Sequence, residues 1–214
     1  MTMKLYGPTL SPNLVRVLLC LEEVGAEYEL VPVNLMADEQ KKPDFLAKNP
    51  FGQVPALQDG DLVLFESRAI SRYVLRKYKS DLLKESSIAD SAMIDIWIDV
   101  EANQYFPTIS PITFQCLLVP ILGGVPDQNI VDASLEKFKK VLEVYEARLS
   151  KSKYLAGDFV SLADLSHFAL TFNLTRTPYA SVLDSYPHVK AWWEALLTRP
   201  AIKKVVDIKM REPV

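Results

Sequence analysis

The spacing of hydrophobic positions changes once along the chain, from a mixed pattern to an entirely helical one. In the first part, short apolar runs predict four strands, at residues 3–7, 28–35, 54–57 and 62–65. Apolar residues at helical spacing follow the first and the last of these runs. The order βαβ-ββα predicts a compact α/β layer that contains a parallel strand pair with a right-handed crossover.

Capping and turn residues indicate where these elements begin and end. Ser11 followed by Pro12 is typical of a helix N-cap and first helical position, and Gly25 is typical of a helix end. The Asp-Gly pair at 59–60 lies between two apolar runs and predicts a tight hairpin. Ser67 is placed to cap the helix that follows.

Beyond about residue 87 the strand signals stop. Four segments with helical spacing follow, at residues 86–106, 132–150, 161–174 and 186–206, and their turns contain proline or glycine. We therefore predict an α/β domain at residues 1–81, a linker at 82–89 and an all-helical domain at 90–214.

The stretch GDFVSLADL specifies the start of one helix in detail. Ser161 is the predicted N-cap, and Asp164, three residues later, completes a carboxylate form of the capping box. Val160 and Leu165 occupy the positions of a hydrophobic staple. The helix that follows is apolar on more than one side, so we expect it at the buried centre of the second domain.

Composition and charge exclude several classes of function. The 214 residues are 49% hydrophobic and 24% charged, as in ordinary globular proteins, and the formal net charge is -3. This charge argues against nucleic acid or an anionic membrane as a partner. The longest apolar run, residues 116–122, is too short to cross a bilayer, and residues 1–10 lack a secretory signal. We expect a cytoplasmic protein with no membrane contact.

The cysteines and histidines offer no nucleophile, base or metal site. Cys20 and Cys116 lie in separate apolar helical patterns, which favours buried, inert thiols over a disulfide, zinc or dithiol site. His167 and His188 have no metal-ligand spacing and are interpreted as hydrogen-bonded structural side chains. No phosphate-binding glycine motif is present in the sequence, so we predict neither a metal nor a nucleotide cofactor.

With these groups excluded, Ser11 is the remaining candidate for a functional residue. Without a histidine base it is not a triad nucleophile. Its hydroxyl at a helix N-terminus can instead donate a hydrogen bond to an anion, beside free backbone N–H groups. This chemistry favours a substrate that brings its own ionisable nucleophile.

Five separated motifs identify which substrate that is. They occur in the order SPN, NPFGQVP, LFESRAI, LAGDFVSLADL and YPHVKAWWEALLTRPA. In this order the chain resembles a cytosolic glutathione S-transferase, most closely of the plant phi class, over essentially its whole length. The resemblance implies a thioredoxin-like N-terminal domain followed by an all-helical domain, with glutathione as co-substrate and no other cofactor.

The resemblance also implies the residues that bind glutathione. Ser11 matches the hydroxyl that hydrogen-bonds the glutathione sulfur. Val54, before a cis Pro55, matches the backbone that pairs with the cysteinyl part. The other matches concern the two ends of the tripeptide: Glu66 and Ser67 for the γ-glutamyl end, Gln53 and Lys41 for the remaining backbone and the glycyl carboxylate. Arg68 either assists through its charge or is simply solvated.

The sequence departs from the family at one of these positions. The family usually has histidine before Lys41, whereas this chain has Gln40. An amide still donates to a carboxylate but never becomes cationic, so we expect weaker and less pH-dependent glutathione binding.

By the same resemblance, the second substrate is apolar and electrophilic. The residues that match the lining of its pocket are Pro12, Leu35, Phe114 and Leu118, any of which is otherwise a core residue. Phe51 matches an aromatic residue that reaches into the neighbouring subunit of the family's homodimer. We therefore expect a homodimer that conjugates glutathione to apolar electrophiles and also reduces peroxides.

Two other functions use the same fold. A thiol-disulfide reductase is disfavoured because it needs a cysteine where Ser11 stands. A non-catalytic carrier of apolar ligands stays open as the alternative, since glutathione-binding residues can persist without turnover.

Overall fold

The structure, a computed structural model, describes residues 2–211. Met1 and residues 212–214, which the predicted domains include, lie outside the described residues. The chain divides into two compact units. The first contains the residues up to Leu83 together with those from Pro200 onward, and the second spans Lys84–Arg199.

The first unit is built on a four-stranded mixed sheet. Its strands are β1 (Met3–Tyr6), β2 (Tyr28–Val31), β3 (Ala56–Asp59) and β4 (Leu62–Phe65), in the order β2-β1-β3-β4. β1 and β2 are parallel, and the other two pairs are antiparallel. This confirms the thioredoxin-like βαβ-ββα prediction. The third strand was predicted from residue 54 but begins at Ala56, because Pro55 has no N–H for the ladder.

The first helix of this unit is its most buried element, and other helices pack against it. The helices are α1 (Pro12–Glu23), the short α2 (Pro43–Leu46), α3 (Ser67–Lys77) and, near the C-terminus, α10 (Pro200–Arg211). α1 is buried from Leu14 to Leu21 because α3 and α10 both pack against it. Lys204 of α10 also pairs with Glu22 at 2.6 Å. Residues 200–211, which the sequence prediction assigns to the helical domain, thus group with the first unit.

Local signals explain how α1 begins and ends. The Ser11 hydroxyl accepts a hydrogen bond from the Leu14 N–H at 3.4 Å, and Pro12 is the first helical residue, as predicted. After the helix, Gly25 adopts a φ of 62°, a left-handed conformation that ends helices readily.

The second unit is helical throughout its described elements. They are α4 (Ile88–Val100), α5 (Phe106–Thr113), α6 (Val119–Ile121), α7 (Gln128–Leu149), α8 (Leu162–Leu174) and α9 (Pro187–Leu197). Two wide π-helical turns, Glu101–Tyr105 and Phe114–Leu118, lie between α4 and α5 and between α5 and α6. Residues 186–206 were predicted as one helical segment, but the helix breaks between Leu197 and Pro200. Helical geometry is disfavoured for a residue that precedes proline, here Arg199.

α8 forms the buried centre of the second unit, as predicted. The Asp164 carboxylate accepts hydrogen bonds from the Ser161 N–H at 2.9 Å and the Ser161 hydroxyl at 3.0 Å. It also accepts from the Leu155 N–H at 3.0 Å and from Trp192 Nε1 at 2.9 Å. One carboxylate therefore joins the start of α8 to α9 and to the preceding loop.

His167 lies on α8 and is structural, as predicted. It is fully buried, with Nε2 at 2.8 Å from the Tyr145 hydroxyl and Nδ1 at 2.7 Å from the Ala163 carbonyl. His188 lies at the surface, where its Nδ1 is 2.5 Å from Glu146 Oε1. Both rings are engaged in local contacts.

We predict that Asp164→Ala lowers the free energy of unfolding by roughly 3–5 kcal/mol, because four donors lose a charged acceptor and two of them are buried backbone N–H groups. Urea denaturation measures this change. The matched control is Asp158→Ala, which removes an exposed carboxylate that accepts a hydrogen bond from the Lys153 N–H at 2.9 Å. Equal losses in the two variants would contradict the role given to Asp164.

Candidate functional site

Gly7 lies where three segments of the first unit meet: its own, the start of α1 and the segment that carries Val54. Its φ is 142°, and a Cβ there would lie 2.7 Å from Leu14 Cδ1 and 3.1 Å from Val54 Cβ. Only a residue without a side chain leaves this space open. The first turn of α1, which carries Ser11 and Pro12, therefore lies beside the segment that carries Val54.

A buried asparagine shapes the loop before β3. Asn49 is 3% exposed, and its Nδ2 donates to the Gln53 carbonyl at 2.6 Å. Its Oδ1 accepts from the Phe51 N–H at 3.1 Å, and its carbonyl accepts from the Gly52 N–H at 2.9 Å. The Val54–Pro55 peptide bond that follows is cis, as the resemblance implies. The loop thus carries an exposed Gln53 and a half-buried Val54 just before β3.

Gln40 and Lys41 lie against this same loop. A Cβ on Gly52 would stand 2.8 Å from the Gln40 carbonyl oxygen and 3.0 Å from Lys41 Nζ. Lys41 Nζ donates to the Phe51 carbonyl at 3.2 Å, and its side chain is otherwise exposed. The structure therefore brings Gln40, Lys41 and Gln53 to one edge of the first unit.

Glu66 and Ser67 lie at the start of α3, but their capping roles differ from the prediction. Ser67 was expected as the N-cap, whereas Glu66 occupies that position with a φ of 69°. A non-glycine residue in such a conformation costs about 1–3 kcal/mol and is typical of functional sites. Ser67 is the first helical residue and 5% exposed, so its N–H is among those without a partner inside the helix. Arg68 lies half-buried on the same first turn.

Ser67 is also tied to α1. Its Oγ accepts a hydrogen bond from Arg16 Nη1 at 2.7 Å, and the same nitrogen donates to Asn13 Oδ1 at 2.8 Å. The first turns of the helices that carry Ser11 and Ser67 are therefore joined through one guanidinium group.

The four residues expected at the electrophile pocket divide between the units. Pro12 and Leu35 belong to the first unit, and Leu35 is 37% exposed. Phe114 and Leu118 belong to the second unit, where they are the first and last residues of a wide π-helical turn. Phe114 is 46% exposed, so a large apolar surface is available on this turn. Wide turns of this kind are frequent at functional sites.

The thiols are poor nucleophiles. Burial raises the pKa of the Cys20 thiol to about 12. Cys116 was expected to be buried but is only partly so, because it lies on the wide turn between α5 and α6; burial still raises its pKa. Among residues 2–211, no group of three or more His, Cys, Asp and Glu side chains could hold a metal ion. No helix in the same range is long and apolar enough to cross a membrane.

Sequence reasoning missed three residues that shape this site: Gly7, Arg16 and Asn49. Arg16 had a visible signal, since it is one charge inside the apolar run NLVRVLLCL. Gly7 ends a predicted strand and Asn49 begins the motif NPFGQVP, but their roles depend on contacts that only the folded chain shows.

Two domain-family models match the sequence. They are described as "Glutathione S-transferase, N-terminal domain", at residues 1–76, and "Glutathione S-transferase, C-terminal domain", at residues 105–200. The chain is 62% identical over 206 residues to glutathione S-transferase 1 of Zea mays, covering 96% of each sequence.

Solved structures give the same result. A maize glutathione S-transferase I in complex with an atrazine glutathione conjugate is 59% identical, with a TM-score of 0.95 and 100% of both chains covered. Glutathione transferase F7 from Populus trichocarpa is 51% identical, with a TM-score of 0.95, covering 99% of this chain and 100% of its own.

We predict that Gly52→Ala is more destabilising than Gly25→Ala, although both glycines have nearly the same backbone conformation, with φ of 59° and 62°. Alanine in this conformation costs about 1–2 kcal/mol at either position. At Gly52 the added methyl group also meets the Gln40 carbonyl oxygen, whereas nothing lies within 4 Å at Gly25. We expect Gly52→Ala to cost at least about 1 kcal/mol more in urea denaturation; equal costs would show that the loop contact is unimportant.

Proposed function

Because the chain belongs to the glutathione S-transferase family, and to its plant phi-class branch, we propose that Ser11 holds the glutathione sulfur as a thiolate for attack on apolar electrophiles. The protein is a glutathione transferase. The observation that carries the assignment to Ser11 is its position at the N-terminus of α1. In the cap the Ser11 oxygen accepts from the Leu14 N–H at 3.4 Å, and this bond does not use the O–H proton, which can donate to a ligand.

Energies support a mechanism without a protein base. Lowering a thiol pKa from about 8.5 to about 6.5 requires roughly 2.7 kcal/mol. One hydrogen bond to a charged group is worth about 1.5–3 kcal/mol, and a helix N-terminus contributes about 0.3–1 kcal/mol more. The Ser11 hydroxyl and the first turn of α1 together cover the requirement. The thiolate then attacks the electrophilic carbon, and a leaving group such as chloride departs with the electrons of the broken bond.

The rest of glutathione is held by backbone and charge. The Val54 backbone pairs with the cysteinyl unit, while Glu66 receives the γ-glutamyl ammonium and Ser67 its carboxylate. At the other end Gln40, Lys41 and Gln53 hold the remaining backbone and the glycyl carboxylate, supported by their common position at the Gly52 loop. Arg68 adds positive charge near the γ-glutamyl end.

The residues assigned to contacts with apolar electrophiles are Pro12 and Leu35 of the first unit and Phe114 and Leu118 of the second. A maize relative whose structure contains an atrazine glutathione conjugate supports xenobiotic detoxification as the role, since this chain is 59% identical to it. Peroxide reduction by the same thiolate is a second reaction. The carrier function remains the alternative, because exposed apolar residues such as Phe114 also bind ligands that do not react.

We further propose a cytoplasmic homodimer with a glutathione-binding domain at residues 1–81, a linker at 82–89 and a helical domain at 90–214, whose residues 200–211 group with the first unit in the structure. Phe51 supports the dimer. It is 66% exposed, and its ring contacts Phe65 with a centroid distance of 6.0 Å. A second subunit that covers this aromatic side chain removes its apolar surface from water.

We predict that Ser11→Ala raises the pKa of the bound glutathione thiol by about one to two units, because the thiolate loses its hydroxyl donor. Thiolate absorbance during a pH titration measures the shift, and turnover of a chlorinated nitrobenzene at neutral pH should fall about tenfold or more. Ser87→Ala is the matched control, since it removes the N-cap of α4 and leaves α1 unchanged. No turnover by the unmodified protein would favour the carrier, and an unshifted pKa in Ser11→Ala would refute the role of Ser11.

We predict that Phe51→Asp converts the dimer to a monomer at micromolar concentration, because a charge replaces the apolar anchor. Sedimentation velocity measures the mass. Val125→Asp is the control, since Val125 is 88% exposed and lies in a loop of the second unit. A monomeric unmodified protein, or a Phe51→Asp variant that stays dimeric, would contradict the proposed interface.

A further inference from the structure

Arg16 is a cation in the interior of the first unit. It is 1% exposed, and its neighbours along α1, Val15 and Val17, are both fully buried. Removing a charge from water costs several kcal/mol unless hydrogen bonds compensate. Packing alone does not need this charge, because a buried apolar side chain of similar volume is often as stable or more so. The stability of the core therefore does not explain why a guanidinium group lies at this position.

The hydrogen bonds of Arg16 determine the direction of one hydroxyl proton. Nη1 carries two N–H groups, and it donates at 2.8 Å to Asn13 Oδ1 and at 2.7 Å to Ser67 Oγ. A guanidinium only donates, so Ser67 Oγ is the acceptor in this contact. The serine proton must then point away from Arg16. A hydroxyl fixed in this way is available as a donor to another group.

A second donor lies beside that hydroxyl. Ser67 is the first residue of α3, so its backbone N–H has no acceptor inside the helix. The N–H and the hydroxyl together form a pair of donors on one residue, at the positive end of an 11-residue helix. Such a pair fits a carboxylate, which accepts on two oxygens.

We propose that Arg16 is a positioning residue that commits the Ser67 hydroxyl to donate to the α-carboxylate of the γ-glutamyl group of glutathione. The inference rests on the proposed function of Ser67 and extends it, since Arg16 itself does not touch the ligand. Asn13 completes the arrangement by holding the same guanidinium nitrogen from the first turn of α1. Arg16 lies on α1, whose N-cap is Ser11. Through Arg16, α1 therefore also orients the Ser67 hydroxyl of α3, which donates to the ligand carboxylate.

The test compares two peptides that differ by one carboxylate. Glutathione and 4-aminobutyryl-cysteinylglycine share the thiol, the ammonium and the glycyl end, but the second lacks the γ-glutamyl α-carboxylate. Isothermal titration of Arg16→Met should show glutathione binding weakened by about 10- to 100-fold, with binding of the second peptide changed less than about twofold. Arg16→Lys, which keeps a cationic donor, should recover part of the lost affinity.

A mutant cycle separates this positioning role from a structural one. Ser67→Ala should show the same selective loss, and Arg16→Met combined with Ser67→Ala should bind glutathione no more weakly than Ser67→Ala alone. Additive effects, or equal losses for the two peptides in Arg16→Met, would overturn the proposal. Arg148→Met, which removes a half-buried arginine of the second unit, should leave both affinities unchanged.

Two further outcomes are distinguishable. If Ser67→Ala binds glutathione normally, the proposed function of Ser67 fails, independently of what Arg16 does. If Arg16→Met does not fold, Asn13→Ala replaces it, because it removes the amide oxygen that accepts from the same Arg16 nitrogen. We expect Asn13→Ala to weaken glutathione severalfold without weakening the second peptide, and unchanged glutathione binding in that variant would count against the proposal.

Discussion

Free N–H groups at two helix starts are the constraint on which the site of the first unit depends. A helix cannot satisfy the N–H groups of its own first turn, and α1 and α3 each begin with a serine at or next to the cap. At α1 the capping bond is 3.4 Å long, and at α3 the side chain of the cap residue, Glu66, makes no capping bond to the helix. Both helices therefore retain donors that suit an anionic ligand, and the proposed function assigns one to a sulfur and one to a carboxylate.

Glycines and buried polar side chains hold these donors close to the loop that precedes β3. Gly7 lets Val54 approach the first turn of α1, and Gly52 lets residues 40 and 41 approach the same loop. Asn49 fixes the loop from inside with three hydrogen bonds of 2.6–3.1 Å. Close approach of backbones, not any single strong contact, thus assembles the site from segments distant in sequence.

Local sequence signals predicted the features that depend on neighbours in the chain. The cap at Ser11, the hairpin at residues 59–60 and the contact of Ser161 with Asp164 each involve residues within a few positions, so their geometry follows from residue type. Features that depend on distant contacts were not predictable in this way. The shift of the α3 cap to Glu66 and the packing of α10 on α1 arise only once the sheet and helices have met. The roles of the site residues remain predictions.

The choice of a hydroxyl at position 11 affects how the enzyme depends on pH. Ser11 does not titrate near neutrality, His167 is held by Tyr145 and Ala163, and Gln40 stands where the family usually has histidine. Within the proposed site, the group that ionises around neutral pH is therefore the thiol of glutathione itself. Stabilisation of the thiolate by a neutral donor and a helix terminus does not change as the solution becomes more acidic, since neither gains a proton. The loss of activity at low pH should then follow protonation of glutathione and not of the protein.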